Sequence, residues 1–329
     1  MDLSMVEQGC WDQNSREYLQ ACRRESEYWG LELEREIAAG IPFSVDMQRA
    51  QRLYVNRGKG LPQKQSYDPD SERLLNGPLY DRIFAAVKAH GQNARILVLT
   101  CGPGGLCLEL ARQGHRVVGI DLSEKTIEIA RKFAEDNPIK ESFGTLEYRI
   151  ADLNTADLDP GIYDVVIVWD GLHHILKIDR LMRQVRGSLK SDGLFIYSDN
   201  VGLHRFSRLL GGLLYLLLPT HVSYWQKLKF ALAGERRIRE EMRARSPFEE
   251  ISADSILSTS KKYFDIKESY EHTGIGYRAA IAGDLNCPRG VKLLFIKCLK
   301  KFDDWAVRHR LLKGDHVLVV ATPALGNRC

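Results

Sequence analysis

Between residues 11 and 40, apolar positions recur every three or four residues. Trp11, Tyr18, Cys22, Trp29, Leu33 and Ile37 mark one face, with charges between them, so the spacing predicts an amphipathic helix. Gly40 and Pro42 end it. Residues 56–70 have no period and many turn formers, which predicts a loop, and a further helix is expected around Leu79–Ala89. From Arg95 the rhythm changes. Short apolar runs near 95–100, 116–120, 145–150, 164–169 and 193–198 predict strands. The stretches near 104–113, 123–135 and 178–189 predict helices, and this alternation is that of an α/β sheet. Ser123 before Glu124 reads as a helix N-cap followed by an acid in the first turn. Lys190–Gly193 reads as a tight turn in which glycine supplies a positive φ.

After Asn200 the alternation stops. Residues 203–247 are helical in pattern, first apolar (209–218), then basic through Lys227, Lys229, Arg236, Arg237, Arg239, Arg243 and Arg245. Glu235, Glu240 and Glu241 interleave with those cations, so a solvated, salt-bridged face is expected there rather than an anion site. A helix near 252–260, a strand near 263–269, a mainly helical stretch over 275–312 and a strand at 316–322 complete the chain. This divides it into a helical lid (1–74), a sheet-bearing core (75–202), a helical insert over the substrate side (203–262) and a closing segment (263–329). Tyr54, Arg57 and Tyr67 are candidate lid contacts.

Composition narrows the function classes. The 329 residues are 44% hydrophobic and 27% charged, ordinary for a globular protein. A net charge of +4 over 47 basic and 43 acidic residues is too even to indicate nucleic-acid binding. The apolar run 209–218 contains two glycines and is too short to span a bilayer, and no signal peptide is apparent. Seven cysteines without a Cys-x-x-Cys pair fit free thiols in a reducing compartment, so a cytoplasmic location is expected. No metal-ligand spacing stands out, so no metal is expected. The sequence leaves homodimerisation open.

The candidate chemistry sits where the predicted strands end. Gly102-Pro103-Gly104-Gly105 follows the first strand and opens a helix, a turn that lets backbone N–H groups approach a ligand. Asp121 ends the second strand, where a carboxylate can accept both hydroxyl hydrogens of a ribose or cap the next helix. Asp152 ends the third, placed either to accept from an adenine amino group with Leu153 on the ring face, or to shape a loop turn. The fourth strand, Tyr163–Trp169, empties into Asp170, His173 and His174, at the sheet edge where open sheets keep their sites.

In these ordered elements the chain resembles the class I, S-adenosylmethionine-dependent methyltransferases. The resemblance covers about residues 75–200, and the late strand pair completes it. It implies an α/β, Rossmann-like fold with a seven-stranded, mostly parallel sheet whose last strand is antiparallel. It also implies S-adenosyl-L-methionine as cofactor, with S-adenosyl-L-homocysteine as product. Gly102, Pro103 and Gly104 would face the methionine part. Asp121 would bind ribose, Leu122 would flank the adenine, Asp152 and Leu153 would hold its edge and face, and Trp169 would lie by the methionyl end. The family usually has an acid and a further glycine where this chain has Val98 and Thr100; Thr100 would replace part of the lost contact. His173, His174 and Asp170 are the candidate bases for a hydroxyl acceptor, with packing as the competing role for the histidines. The expected reaction is O-methylation of a small or medium-sized acceptor, a secondary metabolite or a saccharide. The alternatives are an NAD(P)-dependent oxidoreductase, which would need a parallel sixth strand, and a non-catalytic cofactor binder.

Overall fold

The computed structural model describes residues 15–38, 45–46, 51–52, 69–137, 144–202, 205–220, 223–232, 240, 242–272, 274–275 and 285–324. Tyr54, Arg57, Tyr67, Trp11, Glu235, Glu241 and the arginines at 236, 237 and 239 lie outside the described residues.

Helices α1 (Arg16–Ala38) and α2 (Pro69–His90) precede the sheet. Then follow β1 (Arg95–Leu99), α3 (Gly105–Arg112), β2 (Arg116–Asp121), α4 (Glu124–Asp136), β3 (Thr145–Ile150), β4 (Tyr163–Trp169), α5 (Ile178–Ser188) and β5 (Leu189–Asn200). The remainder is α6 (Arg205–Leu217), α7 (Tyr224–Leu232), α8 (Ile256–Tyr263), β6 (Phe264–His272), α9 (Arg289–Arg308) and β7 (His316–Pro323). The sheet order is β3-β2-β1-β4-β5-β7-β6. Pairs within β3 to β5 are parallel, and β7 runs antiparallel to both β5 and β6. The expected seven-stranded, Rossmann-like sheet is therefore present.

The central strands read as continuous apolar runs because both faces are covered. Ile96 and Val98 of β1 pack with Ile83, Phe84 and Val87 of α2, Leu110 of α3 and Ile127 of α4. Leu97 and Leu99 point the other way, into a core with Leu181, Met182 and Val185 of α5 and Ile256 of α8. That alternation is the two-residue period of a strand. It leaves the carboxyl ends of β1, β2, β3 and β4 side by side at one edge.

Several boundaries differ from the expectations. Helix α2 begins at Pro69, ten residues before Leu79, and continues through Pro78. An internal proline costs about 3 kcal/mol, but the helix buries Leu79, Tyr80, Ile83, Phe84 and Val87. At roughly 1.5–3 kcal/mol per large apolar side chain, burial outweighs that cost. Gly193 is not at a positive φ, and residues 190–193 belong to β5. A register shift between Tyr163 and Val165 absorbs the irregularity. Glycine is required there by close approach: a Cβ would meet Leu189 at 2.9 Å and the Asp164 carbonyl oxygen at 3.2 Å.

The helical insert is broken, with α6 and α7 separated around Pro219, where Thr220 bridges to Leu285. Lys227 turns inward instead of joining a solvated face. Its Nζ donates to the Leu218 and Tyr215 carbonyls, satisfying acceptors at the end of α6. The expected helix 252–260 resolves into a short 3-10 turn and then α8, and within 275–312 the regular helix is α9.

Candidate functional site

The turn after β1 requires its glycines. Gly102 has φ 52° and Gly104 φ 75°, both in the left-handed region, and a Cβ on Gly104 would run into the Tyr148 ring. Tyr148 Oη donates to the Gly104 carbonyl at 3.0 Å, fixing the turn to β3. Asp121 closes it from β2. Its Oδ2 accepts from Gly102 N at 2.9 Å and its Oδ1 from Ser123 N at 3.0 Å. Burial raises the Asp121 pKa, and these backbone donors only partly offset it. Each carboxylate oxygen keeps capacity for a further donor. Ser123 caps α4 as expected, accepting from Thr126 N at 3.3 Å.

Thr100 occupies the family's usual glycine position with φ 51°, an uncommon conformation for a β-branched residue. Its hydroxyl donates to the Leu99 carbonyl at 2.6 Å, and it packs on Gly171, where a Cβ would overlap it. Asp170, with φ 52°, is the second non-glycine residue at this edge in the left-handed region. The turns after β1 and β4 thus abut. Backbone strain of this kind concentrates where the surroundings over-determine a functional geometry.

Asp152 is already engaged. Its Oδ1 accepts from Asn154 N at 2.9 Å and Asn154 Nδ2 at 3.1 Å, and its Oδ2 accepts from Tyr18 Oη of α1 at 2.5 Å. Trp169 lies flat on Tyr80 of α2, centroids 4.7 Å apart and planes 8° apart.

Asp121 and Asp152 line one cavity of about 570 Å³, together with Thr100, Gly102, Pro103, Leu122, Leu153, Trp169, Asp170 and His174. Gly104 belongs to the same turn. Helix α1 contributes Glu25, Ser26, Trp29 and Leu33 to the wall, and the 245–249 segment contributes Phe248. A smaller cavity of about 110 Å³ shares Trp169, Asp170 and Asn76 with the first and is otherwise bounded by Leu75 and Leu79 of α2, by α9, and by His272, His316 and Ser198.

His173 is the exception. It is buried and not among the residues lining either cavity. Its Nδ1 lies 2.7 Å from Asp199 Oδ1. Asp199, fully buried on β5, also accepts from Gly171 N (2.8 Å), Leu172 N (2.6 Å) and His173 N (3.3 Å). Burial alone would lower the imidazole pKa, but the Asp199 carboxylate brings it to about 10. Buried and paired, this imidazole ties the β4 loop to β5. His174 does line the cavity, edge-on to Trp29 at 5.4 Å.

Sequence reasoning missed five participants. Tyr18 and Glu25 share the apolar face of α1, and a glutamate on such a face was the available signal. Glu25 accepts from Ser246 Oγ (2.8 Å), Trp29 Nε1 (2.9 Å) and Phe248 N (3.2 Å), tying α1 to the insert. Burial alone would raise its pKa, but the contacts with His174, Ser246 and Trp29 lower it. Asp199, His272 and His316 carry no local motif; only the sheet order brings them to the edge.

Residues 97–197 match the family model described as a methyltransferase domain. A ubiquinone biosynthesis O-methyltransferase of Pelagibacter ubique is 31% identical over 139 residues, 41% of this chain and 55% of that one. The chain spans about half the length of the curated relatives it matches first. Two solved structures share the fold at 14% identity and TM-score 0.53. They are the [4+2]-cyclase SpnF (93% of this chain, 97% of that one) and geranyl diphosphate C-methyltransferase from Streptomyces coelicolor A3(2) (95% and 100%). With the antiparallel β7 where an oxidoreductase of the expected kind would have a parallel strand, the chain carries, over residues 97–197 and the sheet around them, the methyltransferase domain of the class I, S-adenosylmethionine-dependent family.

Proposed function

We propose that the protein transfers a methyl group from S-adenosylmethionine to a hydroxyl oxygen of a small or medium-sized acceptor. One observation carries this: Asp121, Asp152 and the glycine turn share a single cavity. The fold alone does not assign a reaction, since it also serves a cyclase.

The residues fit the cofactor. A buried carboxylate such as Asp121, with spare acceptor capacity and a raised pKa, is matched by the two hydroxyl donors of a ribose. Gly102 and Gly104 leave the turn without side chains where the methionine part would run. Leu122 and Leu153 supply apolar faces for the adenine, and Asp152 accepts at its edge. Thr100 and Trp169 border the methionyl end, with Val98 in place of the family's usual acid. When bound, the cofactor supplies an electrophilic methyl group on sulfur. The chain's own contribution is alignment, exclusion of water by α1 and Phe248, and acceptance of the hydroxyl proton. Asp170 borders both cavities and is the residue placed for that proton, with His174 the second cavity-lining candidate. The smaller cavity would receive the acceptor. The relatives' name supports an oxygen acceptor and lends none to a secondary metabolite or saccharide. Among the described residues no helix is long and apolar enough to cross a membrane.

The test is direct. Purified protein should bind S-adenosylhomocysteine but not NAD⁺ by calorimetry, and should transfer tritium-labelled methyl to a member of a panel of hydroxylated aromatics. Asp170→Asn should lower kcat with little change in cofactor affinity. Binding of NAD⁺ in preference, or tight S-adenosylhomocysteine binding without turnover on any oxygen, nitrogen or carbon acceptor, would overturn it.

A further inference from the structure

His173 and His174 close a 3-10 turn after β4, with ring centroids 4.1 Å apart. Both Nε2 atoms face one carboxylate, that of Glu249, at 3.9 Å for His173 and 3.7 Å for His174. Neither distance is a hydrogen bond. One donor atom from each of the three residues lies within 4.8 Å of the other two. Donors bonded tetrahedrally to one zinc-like ion at about 2.0–2.2 Å stand roughly 3.3–3.6 Å from each other, so these side chains lie slightly wider than bound ligands and would draw in around an ion.

We propose that His173, His174 and Glu249 form a binding site for a divalent transition-metal ion, of the zinc class, at the wall of the cofactor cavity. The far side of each ring supports this. His173 Nδ1 is held by Asp199 at 2.7 Å, and His174 Nδ1 lies 3.0 Å from Glu25 Oε1. Metal-binding histidines are oriented by a carboxylate as His173 is by Asp199, with the other nitrogen left for the ion. The His174–Glu25 contact is off the line of a hydrogen bond, so Glu25 sets the charge beside that ring but does not fix its orientation.

A second grouping, Asp170, His173 and Asp199, also has its atoms close together. Asp199 is already saturated by three backbone N–H groups and the imidazole, which leaves it no lone pair aimed at an ion. Two imidazoles and one carboxylate select zinc, cobalt or nickel over magnesium or calcium, which take oxygen ligands. Glu25, Glu249, Asp170 and Asp199 surround two imidazoles, so the local field favours a cation. Bound there, the ion would join the β4 loop to the 245–249 segment and, through Glu25, to α1. The absence of metal expected from sequence rested on local spacing, and Glu249 is brought to the histidines only by the return of the insert.

The site does not depend on methyl transfer, and neither does its test. The untagged full chain is stripped with chelator and titrated with ZnCl₂ by calorimetry, with metal content measured by mass spectrometry. One equivalent should bind, and Glu249→Gln and His174→Ala should each weaken binding at least about tenfold. Melting in chelator checks that the variants fold. If they do not, Co²⁺ spectra of the wild-type protein decide: histidine and carboxylate ligation gives d–d bands without a thiolate charge-transfer band. Less than one equivalent bound, undiminished binding in a folded Glu249→Gln, or a thiolate band would each overturn the site.

Discussion

Asp199→Asn removes one charge and keeps the shape of the side chain, so it isolates what holds the β4 loop. In the native protein that carboxylate is fully buried and serves four N–H groups, with no water to replace them. Breaking a buried pair by neutralising one partner costs about 3–5 kcal/mol, because the other charge is left uncompensated. The amide oxygen can still accept from part of the turn, so backbone losses of about 1–3 kcal/mol per orphaned group are only partly added. A total near 3–5 kcal/mol corresponds to roughly a 4–7 °C fall in melting temperature for a chain of 329 residues. The assay is urea unfolding in chelator, followed by fluorescence of the five tryptophans. Asp170→Asn is the control: that carboxylate is half-exposed, 3.8 Å from His173 Nδ1, and its loss should cost less than about 1 kcal/mol. A change below about 1 kcal/mol for Asp199→Asn would show that the His173–Asp199 pair does not hold the loop.

Two further outcomes are expected. Gly104→Ala places a Cβ against the Tyr148 ring at a left-handed φ and should lower stability by about 1–2 kcal/mol; it should also abolish S-adenosylhomocysteine binding at micromolar ligand, and normal binding would refute the turn assignment. His272 is pushed down to about 3 by burial, then by His316 and Lys300, and it also stacks on Tyr270. Its folded pKa lies below the unfolded value of about 6.5, so its stabilisation is full above 6.5 and is lost as pH falls toward 3. His272→Gln should therefore flatten the acid limb of the stability curve by up to about 1.4 kcal/mol per pH unit; parallel curves would contradict the buried neutral imidazole.

Most of the fold was legible because the central strands obey simple periods. Ile96–Leu99 and Val165–Val168 are buried on both faces and read as continuous apolar runs. The placing of Asp121 and Asp152 at the sheet edge was legible because Asp121 is the last residue of β2 and Asp152 lies two residues past β3. What escaped notice depends on non-local returns. Glu249 and Tyr18 reach the site from segments far along the chain, and Asp199 looks like any strand-end carboxylate until β5 sits beside β4. The errors were local and had local causes. The second helix was expected to begin near Leu79, whereas it begins at Pro69 and runs through Pro78, whose cost the buried face beside it outweighs. Gly193 was assigned a turn φ when it serves a close strand contact. His173 was a catalytic candidate by position, with packing as the competing role; its Nδ1 turns toward Asp199 and it is not among the residues lining the cavity.

The central claim is that Asp121 grips the sugar of an adenosyl cofactor in the cavity it shares with Asp152. Calorimetric titration of Asp121→Ala with S-adenosylhomocysteine tests it most directly. Loss of charge-assisted hydrogen bonds should weaken binding by about 1–3 kcal/mol, roughly 5- to 150-fold, in a variant that melts like the parent. Unchanged affinity in that folded variant would contradict it.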